Sequence, residues 1–265
     1  MGVPNQKTQL GRTTNKVGRG AEPSARGFTI IEVILFLGIT GMLAIGLLGG
    51  WTTMINTQRY KDSVKTLQSF VQQQYNLVYN VENGRSPDLS CSAGTVDDGG
   101  AASPRGQSNC VLMGRLIQVQ NGTDLTVRSI VGQDLPEGSS ATSDIDLMRD
   151  SNPKLIPEDI DIGMTYSNLT VPWGATIVDN GGNPRTLSIA IIRSPVNVSG
   201  SVHTYTVTGT MPVVDMIDVN NERSDVPLCL ESGGNFSGGG MGVVIKARAS
   251  AQSYIQTITD EDGTC

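Results

Sequence analysis

The sequence contains one histidine, His203, and any Ser-His-Asp catalysis would have to use it. His203 lies in the β-like run Ser-Val-His-Thr-Tyr-Thr-Val, whose alternation places it on the same face as Tyr205. No Gly-x-Ser-x-Gly motif accompanies it, and the glycine-rich stretches lack the Lys-Ser/Thr of a phosphate-binding loop. We therefore expect a histidine on the face of a sheet, no nucleotide site and no enzymatic activity.

Two groups of acidic residues could gather around calcium, which prefers carboxylate and carbonyl oxygens. The first group is Asp144, Asp146, Asp150, Glu158, Asp159 and Asp161, and the second is Asp215, Asp218, Asn220 and Glu222. Neither group has the spacing of an EF-hand loop, so solvated charge is the default interpretation. The sequence predicts no metal and no cofactor.

The four cysteines are Cys91, Cys110, Cys229 and Cys265. They match no zinc-binding spacing, and an even number of cysteines in an extracytoplasmic domain favours disulfides. Three pairings are open to four cysteines. We favour pairing of nearest neighbours in sequence, which joins Cys91 to Cys110 and Cys229 to Cys265.

A carboxylate stands near the start of a long apolar run. Residues 28–51 carry one charge, Glu32, and the run is long enough for a membrane helix, which needs about 20 apolar residues. A charge within such a helix costs ~2.5–3.5 kcal/mol on insertion scales, so it generally has a partner and a function.

Gly27, Phe28, Thr29 and Glu32 form a short pattern, Gly-Phe-Thr-x-x-Glu, that follows a basic leader and opens the apolar run. This pattern resembles the start of type IV pilin-like proteins. The resemblance implies that a prepilin peptidase cuts between Gly27 and Phe28 and methylates the new amine of Phe28. It also implies that Glu32 neutralises the terminal amine of a neighbouring subunit during assembly. The alternative is a generic single-pass anchor whose Glu32 extends to the nearby headgroups.

Gly49 and Gly50 fall where many members of this family carry a helix-breaking proline, which is missing here. Each glycine weakens a helix by about 1 kcal/mol relative to alanine, so the pair predicts a soft point in the helix. The alternative is that glycine is simply frequent in membrane helices, as Gly41 also illustrates.

Charge is distributed unevenly along the 265 residues, whose net charge is −6. Residues 1–27 carry five basic side chains and one acidic side chain, a balance of +4, so the remainder carries −10. Basic segments stay in the cytoplasm, which predicts a cytoplasmic leader and an extracytoplasmic body. The acidic body would repel nucleic acid at long range, although a local basic patch leaves that partner open. Conventional signal cleavage near residues 46–50 is a minor alternative.

The helical pattern continues beyond the apolar run and then changes to that of strands. Apolar residues recur at helical spacing at Tyr60, Val64, Leu67, Val71, Val78 and Val81, and Asn83-Gly84 ends the pattern. Residues 85–110 are predicted to form a loop, and a short helix is predicted at 144–149. Strands are predicted at 111–120, 123–131, 175–178, 186–193, 203–210, 242–249 and 253–259. Asn121-Gly122 between the first two is a hairpin signal.

These elements predict an α+β fold in which a long N-terminal helix, half membrane-spanning and half amphipathic, packs on an antiparallel sheet. The predicted segments are a leader, 1–27; a membrane or filament-core helix, 28–51; its amphipathic continuation, 52–84; and a β-rich head, 85–265. The head resembles minor-pilin and H-type pseudopilin heads only in the order of its elements.

The resemblance implies a filament subunit whose partners are other pilin subunits, the prepilin peptidase, an inner-membrane assembly platform and, before assembly, membrane lipid. A minor subunit is favoured because the processed chain would be large for a major one. Adhesion, twitching motility and DNA uptake are the implied roles. The alternatives are a pseudopilin of type II secretion and, from another class, a membrane-anchored surface enzyme or binding module.

Overall fold

The computed structural model describes residues 27–80, 89–92, 95–97, 110–133, 135, 141–157, 168–195, 201–233, 240–259 and 265. The chain divides into two compact units, Met1–Gly49 and Gly50–Cys265. Within the described residues, the first unit contributes the start of one long helix, and the second contains the rest of that helix with the antiparallel sheets. The predicted α+β class is therefore confirmed.

Three α-helices and twelve strands make up the described structure, together with three short 3-10 turns. The helices are α1, Ile30–Tyr79; α2, Asp144–Asp150; and α3, Val213–Met216, and the 3-10 turns are Pro172–Gly174, Val219–Glu222 and Gln252–Tyr254. The strands are β1, Ser90–Ser92; β2, Thr95–Asp97; β3, Cys110–Gln120; β4, Asp124–Gln133; β5, Lys154–Leu155; β6, Leu169–Thr170; β7, Thr176–Val178; β8, Leu187–Arg193; β9, Val202–Thr208; β10, Val226–Glu231; β11, Met241–Ile245; and β12, Ile255–Thr259.

The strands form three antiparallel sheets. The largest has the order β5-β4-β3-β8-β9, with β6 also pairing with β4. The second has the order β12-β11-β10-β7, and β1 with β2 forms a small hairpin. One apolar core lies between α1 and both large sheets, with Ile117 and Leu228 contributed by the two sheets.

The second half of α1 buries the predicted stripe. Every stripe residue from Tyr60 to Val78 is buried, whereas Val81 lies outside the described residues. Gln74, three residues after Val71 and four before Val78, is a polar residue on the same stripe. It is fully buried because its side-chain oxygen accepts a hydrogen bond, 3.1 Å long, from the guanidinium of Arg115 on β3. A polar pair of this kind is compatible with burial because each partner satisfies the other.

The predicted hairpin at Asn121-Gly122 is confirmed. Both residues have positive φ, 50° and 71°, the left-handed geometry that Asn-Gly favours in tight hairpin turns. The loop holds three residues, because Gln120 pairs with Asp124. The tip also joins the two large sheets, because Gly122 O accepts a hydrogen bond from Ile177 N on β7 at 2.8 Å, and Gly122 N donates to Arg185 O at 3.0 Å. A Cβ on Gly122 would lie 2.3 Å from Ile177 O, so only glycine fits.

Two local predictions were wrong, and one strand of the second large sheet was missed. The predicted loop at 85–110 contains the β1–β2 hairpin. The strand predicted at 242–249 ends at Ile245, and Arg248 adopts positive φ, 52°, beyond it. β10 was not predicted because Pro227 interrupts its pattern. The structure accommodates this proline because β7 pairs with β10 only at Cys229–Glu231, so Pro227 lies beyond that ladder.

Candidate functional site

The segment that carries the predicted cleavage motif is exposed at the start of α1. No atom would lie within 4 Å of a Cβ on Gly27, and Phe28 is 80% exposed. Thr29 precedes the first helical residue, and its hydroxyl accepts a hydrogen bond from Glu32 N at 3.3 Å. A threonine before the helix with glutamate at the third helical position is the sequence of a capping box. Glu32 thus has a local role in addition to the one that the motif implies.

The first half of α1 exposes its apolar side chains on all sides. Large side chains from Phe28 to Ile55 are between 41% and 81% exposed in this chain. Helix α1 is also long and apolar enough to cross a membrane, judged by length and composition. An apolar surface of this size on an isolated chain indicates a lipid or protein partner.

Helix α1 continues through Gly49 and Gly50, and neither residue has positive φ. No atom would lie within 4 Å of a Cβ on either glycine. Close packing within the chain therefore does not explain them. The predicted soft point at this pair stays a prediction.

The cysteines form two disulfides, Cys91–Cys110 and Cys229–Cys265, which are the nearest pairs in sequence. The first joins β1 to the start of β3, and the second ties residue 265 to β10. The terminal carbonyl also packs against the chain, because a Cβ on Gly240 would lie 2.7 Å from Cys265 O. Each disulfide therefore ties a long stretch of the chain back to a strand.

The single histidine lies between two carboxylates, one from each acidic group of the sequence. His203 Nε2 is 3.1 Å from Asp144 Oδ2, and His203 Nδ1 is 3.3 Å from Glu222 Oε2. The hydroxyls of Ser194 and Ser201 also donate to Asp144. The cluster fastens the start of α2 and the turn at 219–222 to β9. It lies on one face of the sheet with Tyr205, whose ring stacks 6.2 Å from that of His203.

The arrangement of the His203 cluster is unsuited to nucleophilic catalysis. Both ring nitrogens face carboxylates, and the two serines donate to Asp144 rather than to the histidine. A catalytic triad needs the opposite order, in which the histidine accepts a proton from the hydroxyl. Burial raises the pKa of the Asp144 carboxyl, but the hydrogen bonds from the serines and from His203 outweigh it and hold that pKa below its ordinary value.

Among the described residues, no group of three or more His, Cys, Asp or Glu side chains could hold a metal ion. Asp144 and Glu222 bond to His203, and Asp218 lies 3.5 Å from Arg149. Three members of the first acidic group, Glu158, Asp159 and Asp161, lie outside the described residues.

A cleft of ≈ 200 Å³ lies between the start of the buried half of α1 and the 3-10 turn before β7. It is lined by Asn56, Arg59, Tyr60, Ser63, Trp173, Ala175, Ser232 and Gly233. The guanidinium of Arg59 stacks on the indole of Trp173, 4.9 Å from the ring centroid. This is a cation–π contact, in which the positive group lies over the negative face of the ring. Among the described residues that line this cleft, Arg59 is the only charged one.

Trp173 is held in a strained conformation. Its φ is 62° and its ψ is 22°, a left-handed geometry that bulky residues rarely adopt, yet its side chain is 59% exposed. The turn is clamped on both sides: the buried Ser63 hydroxyl donates to Pro172 O at 2.9 Å, and a Cβ on Gly233 would lie 2.3 Å from Gly174 O. Strain of this kind persists only where surrounding contacts enforce it, and it often marks a functional site.

Sequence reasoning missed this cleft, since its two central residues are far apart in the chain. One signal was available. Arg59 is the first charged residue after Glu32, so it marks where the uncharged stretch of α1 ends.

Comparisons with known proteins reveal no relative of this chain: no family model, no curated protein and no solved structure matches it. The function must therefore be inferred from the residues and their geometry.

Proposed function

We propose that this chain is a structural subunit, and by its size a minor one, of a type IV pilus or related filament. In this proposal a prepilin peptidase removes residues 1–27, the subunit is stored in the membrane, and it assembles through α1 with other pilin subunits on an inner-membrane platform. In this proposal the chain is the substrate of the reaction, in which the peptidase cuts the Gly27–Phe28 bond.

One observation carries the proposal: the apolar half of α1 is exposed around its whole circumference and carries a single charge, Glu32, in its first turn. A helix of this kind must be covered by lipid or by other helices. The Gly27–Phe28 bond lies just before it, and Gly27 and Phe28 are accessible to a peptidase. The coarser architecture, a long N-terminal apolar helix with antiparallel sheets, is also that expected of a pilin.

Processing by the peptidase supplies the first test. Gly27→Leu should leave the precursor uncut on a gel in cells that contain a prepilin peptidase, because the enzyme must accommodate the residue before the scissile bond. The matched control is Gly20→Leu, the same change within the leader, which should be cut normally. Mass spectrometry of the wild-type product should find N-methyl-phenylalanine at Phe28. An intact Met1 or a new terminus near Trp51 would instead favour a membrane-anchored surface module.

Pairing between subunits supplies the second test. A buried carboxylate and a buried ammonium each cost several kcal/mol in hydrocarbon, and pairing offsets both costs. Glu32→Gln keeps the size and hydrogen-bonding ability of the side chain but removes its charge, whereas Thr29→Val removes the capping hydroxyl and leaves the charge. We expect Glu32→Gln to be processed but absent from filaments, and Thr29→Val to be incorporated. The reverse pattern would show that Glu32 acts through helix capping alone.

A pilus subunit and a pseudopilin of type II secretion would use the same residues of α1. Variants of α1 therefore do not distinguish them, and the filament must be identified directly. Immunogold labelling of long surface filaments would support the pilus. Labelling confined to the envelope, together with loss of an exported protein on deletion of the gene, would assign the chain to type II secretion.

A further inference from the structure

The cleft formed by Arg59 and Trp173 lies directly after the uncharged stretch of α1. Residues 33–58 contain no charged side chain, and Arg59 ends this stretch of 26 residues. As a helix, 26 residues rise ~39 Å, and a bilayer with its headgroups is ≈ 40–45 Å thick. A chain that inserts this stretch therefore brings Arg59 to the level of the headgroups.

The side chain of Arg59 is suited to that level. Helical side chains tilt toward the N-terminal end of their helix, and for Arg59 that is the end of α1 that carries the uncharged stretch. The guanidinium of Arg59 lies over the Trp173 ring, 4.9 Å from the ring centroid, and it carries five N–H donors, which a cation–π contact does not require as hydrogen bonds. Guanidinium groups bind phosphate oxygens through paired hydrogen bonds.

Trp173 supplies the other component of an interfacial site. Tryptophan is enriched at membrane interfaces, where its ring meets apolar chains and its N–H meets polar groups. This tryptophan is 59% exposed, and its turn is clamped by Ser63 and Gly233. The cleft beside it is also lined by Asn56, whose side chain carries an amide.

We propose that the Arg59–Trp173 cleft binds the phosphodiester of a membrane phospholipid and fastens the body to the bilayer surface while the subunit is stored. The proposal rests on the membrane-stored state of the proposed function. The body's acidic charge, −10 outside residues 1–27, opposes a diffuse attraction to anionic lipid. The contact is therefore local, and zwitterionic phosphatidylcholine is expected to suffice.

The test uses the full-length chain in phosphatidylcholine vesicles. The chain has two tryptophans, so Trp51→Phe leaves Trp173 as the only emitter. Trp173 emission should be quenched by a nitroxide on the lipid headgroup, and less by one at the middle of the acyl chain. Adding Arg59→Ala should reduce the headgroup quenching by about half or more, because it removes the guanidinium that binds the phosphodiester through charge-assisted hydrogen bonds. Lys61→Ala is the matched control, because Lys61 is an exposed cation on the same helix, and it should leave the quenching unchanged.

Three results would overturn the proposal, and they differ in what else they overturn. Equal quenching in the Arg59→Ala and parent chains, with both retained after an alkaline wash, would overturn the phosphate site alone. Loss of the protein in that wash would overturn membrane storage as well. Headgroup quenching that falls as the number of chains per vesicle rises would assign the cleft to a second copy of the protein, because that copy would shield Trp173 from the lipid.

Discussion

A substitution of Gly122, at the tip of the β3–β4 hairpin, tests how the two large sheets are joined. Replacing Gly122 with alanine forces a Cβ to within 2.3 Å of Ile177 O and 2.7 Å of Thr176 Cγ2. An L-residue in the left-handed region costs roughly 1–2 kcal/mol, and overpacking adds about 1–3 kcal/mol. The expected loss of unfolding free energy is therefore about 2–5 kcal/mol.

The chain offers a matched control in Gly182. Its φ is 76°, close to the 71° of Gly122, but no atom would lie within 4 Å of a Cβ at this position. Gly182→Ala should thus incur only the conformational cost, about 1–2 kcal/mol. The difference between the two variants isolates the contact between the hairpin tip and β7.

Thermal unfolding of the full chain in mild detergent, followed by circular dichroism, measures both variants. A loss of 1 kcal/mol lowers Tm by ≈ 2–4 °C in a domain of this size. Gly122→Ala should therefore lower Tm by about 4–20 °C and Gly182→Ala by about 2–8 °C, with the larger shift always at Gly122. Equal shifts would refute the conclusion that the tip of the hairpin stabilises the junction between the sheets.

Three further changes test the packing and electrostatics of the body. Tyr60→Phe should cost about 1–3 kcal/mol in urea unfolding, because Met241 N then loses the phenolic oxygen that accepts its hydrogen bond at 2.9 Å. Asp144 has a lowered pKa, so its stabilising contribution is present above the unfolded carboxyl pKa of ≈ 3.9 and lost as pH falls through the folded value. Asp144→Asn should flatten this acid limb of a stability-against-pH curve, and an unchanged limb would contradict the assignment. Serine at both Cys229 and Cys265 should cost about 4 kcal/mol of unfolding free energy in the loop-entropy model, measured by urea unfolding against the oxidised wild type.

Local patterns were sufficient for much of the fold. The buried face of α1 follows from apolar residues at helical spacing, and the β3–β4 hairpin follows from Asn121-Gly122, because each signal depends on neighbours in sequence. The strand pattern also identified β8, where the predicted 186–193 is observed as Leu187–Arg193.

Long-range pairing could not be predicted in the same way. The order of strands in the two sheets depends on contacts between distant segments, such as β10 with β7. Gln74 illustrates the same difficulty within a helix. Its position, three residues after Val71 and four before Val78, places it on the apolar stripe, but an amide is favourable there only because Arg115 on β3 pairs with it.

The candidate sites show the same difference between local patterns, which could be predicted, and long-range contacts, which could not. Gly27, Phe28 and Glu32 were identified because their motif spans six residues, although their functions remain predictions. His203 was expected on a sheet face, and it lies there on β9. Its two carboxylate partners were named in separate acidic groups, but nothing in their spacing brought them together.

Arg59 shows how the meaning of a residue depends on what packs beside it. By periodicity it belongs to the polar face of α1, where an arginine is ordinarily a solvated charge. The strained turn at Trp173 changes this interpretation, because it fixes an aromatic ring under the guanidinium. A solvated arginine would not require such a turn, whose backbone strain costs of order 1–3 kcal/mol. The backbone strain that holds Trp173 beside Arg59 is therefore the strongest physical argument for the binding function that we propose for this cleft.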